Sequence, residues 1–139
     1  NIDTLISKGI RVISLSKKVF DNEKCISLFV PFQDVPKYLS AADIGILWRD
    51  RTFINYSASP SKLSEFAASG LFIIHNGSVN IAEEYIEKYG AGVIIEDMSN
   101  LNTIELIKQQ NRIKNAISGQ NMFGVNAIGN SYINLYKTF

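Results

Sequence analysis

The chain has 139 residues, 46% of them apolar, and a formal net charge of +1 with its basic residues scattered along it. This is enough apolar material for one domain spanning 1–139, and the lack of a basic stripe argues against nucleic acid as a partner. A single cysteine and a single histidine exclude an intrachain disulfide, a Cys-based zinc site and a His-rich metal site.

No apolar run approaches the ~18 residues of a membrane span, and no signal peptide is recognisable. The chain begins at Asn1 without Met, which reads as a piece of something longer.

In chain order, residues 2–8 read as the tail of a helix and 10–15 as a strand. A second strand covers 25–30 and opens on Cys25, read as a buried, inert thiol in a reducing compartment. The pattern predicts a short helix over 35–42, with Pro36 near its first turn, and a strand over 44–47. Asp43, just before that strand, reads as a structural cap or pair.

About a dozen residues, 48–59, then separate this strand from the next helix. They carry Trp48, Arg49, Arg51, Phe53 and Tyr56. Connections of that length in compact α/β domains tend to be functional, and this one leaves the carboxyl end of a strand.

A helix follows over 60–69, with Ser59 as its N-cap and Gly70 as its stop, and then a strand over 71–75. His75, at that strand's end, reads as packed or bonded to a loop. Residues 81–89 form a helix closed by Gly90, with Glu83, Glu84 and Lys88 on an exposed face holding an i,i+4 pair. A fifth strand covers 92–95. From Leu101 the chain reads as helical, with a break near Gly119 and a last helix over 125–137. In that last helix Ile128, Tyr132, Leu135 and Tyr136 share a stripe, and the tyrosines are read as packing.

Short apolar strands alternating with helices predict an α/β fold, a Rossmann-like mostly parallel sheet with helices on both faces.

The helix over 60–69 carries the chemistry. Lys62 lies in its first turn, where the helix dipole disfavours a cation. An anion between the free backbone N–H groups and the ammonium resolves that conflict, and phosphate is the usual one. Glu65 lies one turn on, on the face of Ser61 and Lys62, while Leu63, Phe66 and Ala67 face the core. A phosphate site with a carboxylate one turn away suits a nucleotide, with diphosphate at the helix tip and ribose hydroxyls on Glu65.

Four stretches in order extend this reading. Val35-Pro36-Lys37-Tyr38-Leu39-Ser40-Ala41-Ala42-Asp43-Ile44-Gly45-Ile46 is similar to the "VP-x-YL-x-AAD-x-G" stretch of GT-B glycosyltransferases. Ser59-Pro60-Ser61-Lys62-Leu63-Ser64-Glu65-Phe66-Ala67-Ala68-Ser69-Gly70 resembles their "SP-x-KL-x-EY-x-A-x-G" motif. The stretches from Ile74 to Asn80 and from Gly90 to Ile95 follow in the same order, and Tyr132-Ile133-Asn134-Leu135-Tyr136 looks like the family's final helix. From about Ile10 to its end the chain resembles the C-terminal, donor-binding half of a retaining GT-B glycosyltransferase.

The resemblance implies transfer of a sugar from a nucleoside diphosphate sugar to a glycan or lipid-linked acceptor, in polysaccharide or glycolipid synthesis. It places Glu65 on the ribose and Ser61, Lys62 and Leu63 at the diphosphate. It places Val30, Pro31 and Phe32 at the base, and the loop with Asn55, Tyr56, Ser57 and Ser59 near the donor sugar; Arg49 and Arg51 are read, from their position at the carboxyl end of the sheet, as phosphate or sugar contacts, with surface solvation the alternative. It implies no metal or other cofactor, a separate acceptor-binding N-terminal domain, and a cytoplasmic site, at the inner face of the membrane if the acceptor is lipid-linked. The fragment alone is expected to be inactive, and no catalytic residue is assigned.

Three positions depart from the family. Ser57 stands where many relatives have a second Glu, Asn80 is neutral where they are often acidic, and the domain's first strand and most of its first helix are not found. In a doubly wound sheet the first strand is central. Without it the strands over 10–15 and 44–47 would flank unpaired backbone, which is costly to bury. Either the strands close up in a rearranged sheet or another chain enters the slot by strand exchange or dimerisation.

The competing readings are a non-catalytic α/β binding module and half of a GT-B nucleotide-sugar epimerase. A receiver domain fits poorly because Asp43 precedes its strand, and a dehydrogenase because no glycine fingerprint follows the first strand.

Overall fold

The computed structural model describes residues 2–102 and 111–137. Its helices are α1 (Ile2–Ser7), α2 (Val35–Ser40), α3 (Phe53–Tyr56), α4 (Ser61–Ala68), α5 (Asn80–Tyr89), α6 (Arg112–Phe123) and α7 (Val125–Tyr136). Its strands are β1 (Val12–Leu15), β2 (Cys25–Leu28), β3 (Ile44–Leu47), β4 (Phe72–His75) and β5 (Gly92–Ile94). Every strand pairing is parallel, so the architecture is α/β and Rossmann-like.

The strands form two sheets. β1 pairs with β2, Val12 opposite Cys25, and β3–β4–β5 form the other, with Ile44 opposite Phe72 and Ile73 opposite Gly92. Of the two alternatives for the missing strand, closing-up into one sheet is not seen, since no ladder joins β1 to β3 among the described residues.

Side chains alternate along β4 and split the core into two layers. Ile73 faces Leu63 and Ala67 of α4 and Ala82, Tyr85 and Ile86 of α5. Phe72 and Ile74 face Leu5 of α1 together with Met98 and Leu101, and Val12, Ile44 and Ile46 pack on this second layer. Helices therefore cover both faces, and β4, fully buried, is the spine. Leu5 thus reaches across from the β1 side to the larger sheet, so the two sheets share one apolar layer although no ladder joins them among the described residues.

Several ends differ from expectation. The helix does not break at Gly119. It runs from Arg112 to Phe123 and stops at Gly124, which has extended backbone. Gly119 is there for contact, since a β-carbon on it would meet the Ala67 backbone of α4. Leu101 and Asn102 are not helical, and the expectation of helix over 103–110 lies outside the described residues.

Tyr132 is 60% exposed, so it does not pack as expected, and Ile128 on the same stripe is 45% exposed; α7 rests mainly on α6. The side chains of Leu135 and Tyr136 are outside the described set. The Glu84–Lys88 pair does not form. Glu84 accepts from Asn80 Nδ2 at 2.6 Å, and the Lys88 ammonium sits over the Tyr89 ring instead.

Gly90 closes α5 as expected, in the left-handed conformation with φ 63°. Cys25 is buried and free. Among the described residues Asp43 contributes its backbone carbonyl, which accepts from the Phe72 amide, and no side-chain cap or pair. No described helix is long and apolar enough to cross a membrane.

Candidate functional site

The carboxyl ends of β3, β4 and β5 lie together, and the loops leaving them build the site. The connection after β3 is folded rather than open. Thr52 caps α3, its hydroxyl accepting from the Asn55 amide at 3.2 Å, and Asn55 Nδ2 donates back to Asp50 O at 2.9 Å. Phe53 and Ile54 of α3 are largely exposed, at 85% and 80%, while Tyr56 is partly covered.

This loop is stitched to the turn after β4 through Asn76. Its Nδ2 donates to Arg49 O at 2.7 Å, and its Oδ1 accepts from Ser78 Oγ at 2.7 Å. Its carbonyl accepts from Arg51 Nε and Nη2 at 3.0 and 2.8 Å. Arg51 also pairs with Glu96, beyond β5, at 3.3 Å. One arginine thereby ties the ends of three consecutive strands.

His75 fixes the same corner from beneath. Fully buried, its ring places Nδ1 2.8 Å from Leu47 O, while Nε2 accepts from the Val79 amide at 3.1 Å. That pairing requires the neutral ring with its proton on Nδ1. The expected loop-bonding role holds.

α4 begins differently from expectation. Pro60, not Ser59, is the N-cap (φ −73°, ψ 131°), and no side chain caps the helix. Proline's fixed φ and missing N–H suit the boundary itself, which displaces Ser59 outward. The amides of Ser61 and Lys62 therefore find no acceptor among the described residues, while Leu63 N donates to Pro60 O at 3.0 Å. Leu63 and Ala67 are buried as predicted, with Phe66 half-buried beside them. Ser61 and Lys62 are exposed, and Glu65 is half-buried; neither the Lys62 ammonium nor the Glu65 carboxylate has a hydrogen-bond or ion-pair partner among the described residues.

The structure brings Arg49 and Asn55 together, Nη1 to Oδ1 at 3.4 Å. Tyr56 donates its hydroxyl to Asn80 Oδ1 at 3.0 Å. Tyr56, Ser57 and Ser59 border a hollow of about 240 Å³ with Asn80 and Ile81, next to the start of α4. Val30, Pro31 and Phe32 stand apart after β2, with Phe32 73% exposed. No hydrogen bond, ion pair or ring contact joins them to Ser61, Lys62, Leu63 or Glu65 among the described residues.

Sequence reasoning missed the second cavity of this corner, about 550 Å³, to which Thr52, Ser78, Glu83 and Glu96 contribute. Two signals pointed to it: a glycine two residues past a buried strand, and a long loop leaving the neighbouring strand at the same end. Comparison of the chain with family models, curated proteins and solved structures gives no match.

Proposed function

We propose that this chain is the donor-nucleotide-binding part of a glycosyltransferase that moves a sugar, with retention, from a nucleoside diphosphate sugar to a glycan or lipid-linked acceptor. The observation that carries the reading is the first turn of α4. Two backbone amides, the Lys62 cation and the half-buried Glu65 carboxylate, all without a partner among the described residues, occur within one helical turn.

Each part has a use in that reaction. Uncapped amides at the positive end of a helix bind a diphosphate, and Lys62 adds a full charge. As the glycosidic bond to the diphosphate breaks, negative charge grows on the leaving group, where preorganised donors stabilise it most. Glu65 accepts from the ribose hydroxyls. The hollow bordered by Tyr56, Ser57 and Ser59 receives the sugar end, and Val30, Pro31 and Phe32 receive the base once a second domain closes over the site. A lipid-linked acceptor would hold the whole enzyme at the inner face of the membrane. A further strand, from the rest of a longer polypeptide or a second copy, is read into the opening between β1 and β3, and sedimentation at rising concentration separates the two sources.

The test is calorimetric titration with UDP and with GDP, of the chain and of Glu65→Ala and Lys62→Ala. Binding of one nucleotide, weakened about tenfold or more by each substitution, is expected. No binding to folded protein, or binding that neither substitution changes, overturns the reading.

A further inference from the structure

The cavity of about 550 Å³ opens on the β5 side of Tyr56. Gly77 and Ser78 form its floor, and Phe53, Tyr56 and Ile94 its apolar walls. Its ionic groups are one guanidinium, Arg51, and two carboxylates, Glu83 and Glu96. Arg51 is already engaged, both by Asn76 O and by Glu96 Oε1. Glu83, in the first turn of α5, is half-buried and has no partner among the described residues.

The floor is shaped for occupancy. Gly77 has φ +72°, and a β-carbon there would lie 3.0 Å from Glu83 Oε1 and 3.4 Å from Arg51 Nη2. Any side chain at 77 would fill the space that the glycine leaves beneath the unmatched carboxylate.

With Arg51 balanced by Glu96, Glu83 sets the charge of the cavity. A lone carboxylate in the same lining as two aromatic side chains attracts a cation by direct charge, and the apolar walls favour an organic one over a hydrated metal ion. An anionic ligand would meet the same carboxylate as repulsion. We propose that this cavity binds a small organic ammonium, with Glu83 as counter-ion and Phe53 and Tyr56 as walls. An amino sugar and an amino alcohol share that chemistry. The assignment does not rest on the nucleotide reading: Glu83 and Phe53 line this cavity and not the smaller hollow, with which it shares Tyr56.

The test is an NMR titration of the chain with D-glucosamine, with ethanolamine, and with glucose as the neutral sugar. Saturable shifts of the Gly77, Ser78 and Glu83 amides are expected with an amine and not with glucose. Glucosamine acting alone identifies an amino sugar, and ethanolamine acting as well identifies the ammonium as sufficient. Glu83→Gln should weaken the binding at least tenfold, and Phe53→Ser, at a position already in water, should weaken it several-fold without loss of folding. The UDP and GDP titrations should be unchanged in both variants. Absence of saturable shifts with both amines, equal binding of glucose, or amine binding indifferent to both substitutions overturns the proposal.

Discussion

Gly119 of α6 lies against the Ala67 peptide of α4 so closely that a β-carbon at 119 would come 2.5 Å from both the carbonyl carbon and the oxygen of Ala67. The helix behind the candidate nucleotide site is therefore held by backbone-to-backbone approach, and a backbone cannot yield as a flexible side chain can. Gly119→Ala is expected to destabilise the chain by about 1–3 kcal/mol, outweighing the ~1 kcal/mol that alanine adds to helix propensity. Gly129 of α7 has nothing within 4 Å of its would-be β-carbon, so Gly129→Ala should stabilise by about 0.5–1 kcal/mol. Urea unfolding of the two variants side by side reads the opposite signs.

Arg112 joins the carboxyl ends of two helices. Its guanidinium donates to Leu39 O at 3.1 Å and Ala42 O at 3.0 Å, past the end of α2, and to Ser69 O at 3.2 Å, at the end of α4. A cation is favoured at both ends by the helix dipoles. Arg112→Ala should cost about 1–2 kcal/mol, given charged hydrogen bonds at a partly exposed site. Arg112→Lys should recover less than half, because one ammonium cannot span three carbonyls. Equal stability of all three proteins in thermal melts would contradict this.

His75→Phe keeps the ring volume and deletes both hydrogen bonds, leaving the Val79 amide and Leu47 carbonyl unpaired where the chain is buried. The expected loss is about 2–4 kcal/mol, from two orphaned groups at roughly 1–2 kcal/mol each. Amide exchange should accelerate first at Val79 and the start of α5. A variant as stable as the parent would show that water replaces the ring nitrogens.

Tyr85 gives a pH signature. Burial, reinforced by neighbouring Tyr89, pushes its hydroxyl up to about 12, and that hydroxyl donates to Asn115 O at 3.0 Å. In the unfolded chain the phenol ionises near ~10. Between these values the folded state holds a proton that the unfolded state has lost, so stability falls as pH rises through this window. Below the unfolded value the contribution is fully present. Tyr85→Phe should be less stable near neutral pH, by about 1 kcal/mol for the lost hydrogen bond, and should show a flatter decline above pH ~10. Parallel curves for the two proteins would sink the assignment.

The elements most legible in the sequence were those with a punctuating residue: Gly90 after α5, Pro60 before α4, and the apolar run of β4, whose fourth residue, His75, proved to be a clasp. Legibility failed where one residue type had two uses. Gly119 reads as a break by composition but serves as a contact surface, and only tertiary packing separates the two. Ser59 looks like a cap, yet the proline beside it takes the boundary. Asn76, Glu83 and Glu96 converge on one corner from separate segments, and no local pattern announces that convergence. The candidate nucleotide residues of α4 were legible together because they fall within one helical turn. Val30, Pro31 and Phe32 come from another sheet, and nothing in their own stretch fixes their distance from α4.

The separation of β1–β2 from β3–β5 gives the molecule a hierarchy of opening. β4 has a ladder on each side and helices on each face, whereas β1, among the described residues, has one ladder and half-buried side chains throughout. A unit with fewer ladders and less burial detaches at lower free energy than the global transition. The β1–β2 layer should thus breathe as its own foldon, with native-state exchange at Val12 and Ser14, whose amides face β2, governed by a sub-global event and that at Ile73 and Ile74 only by complete unfolding. The candidate base-binding loop at Val30 to Phe32 hangs from the weaker unit and the diphosphate end from the stronger. A nucleotide gripping both would couple them, raising protection in β1 and β2 far more than in β4.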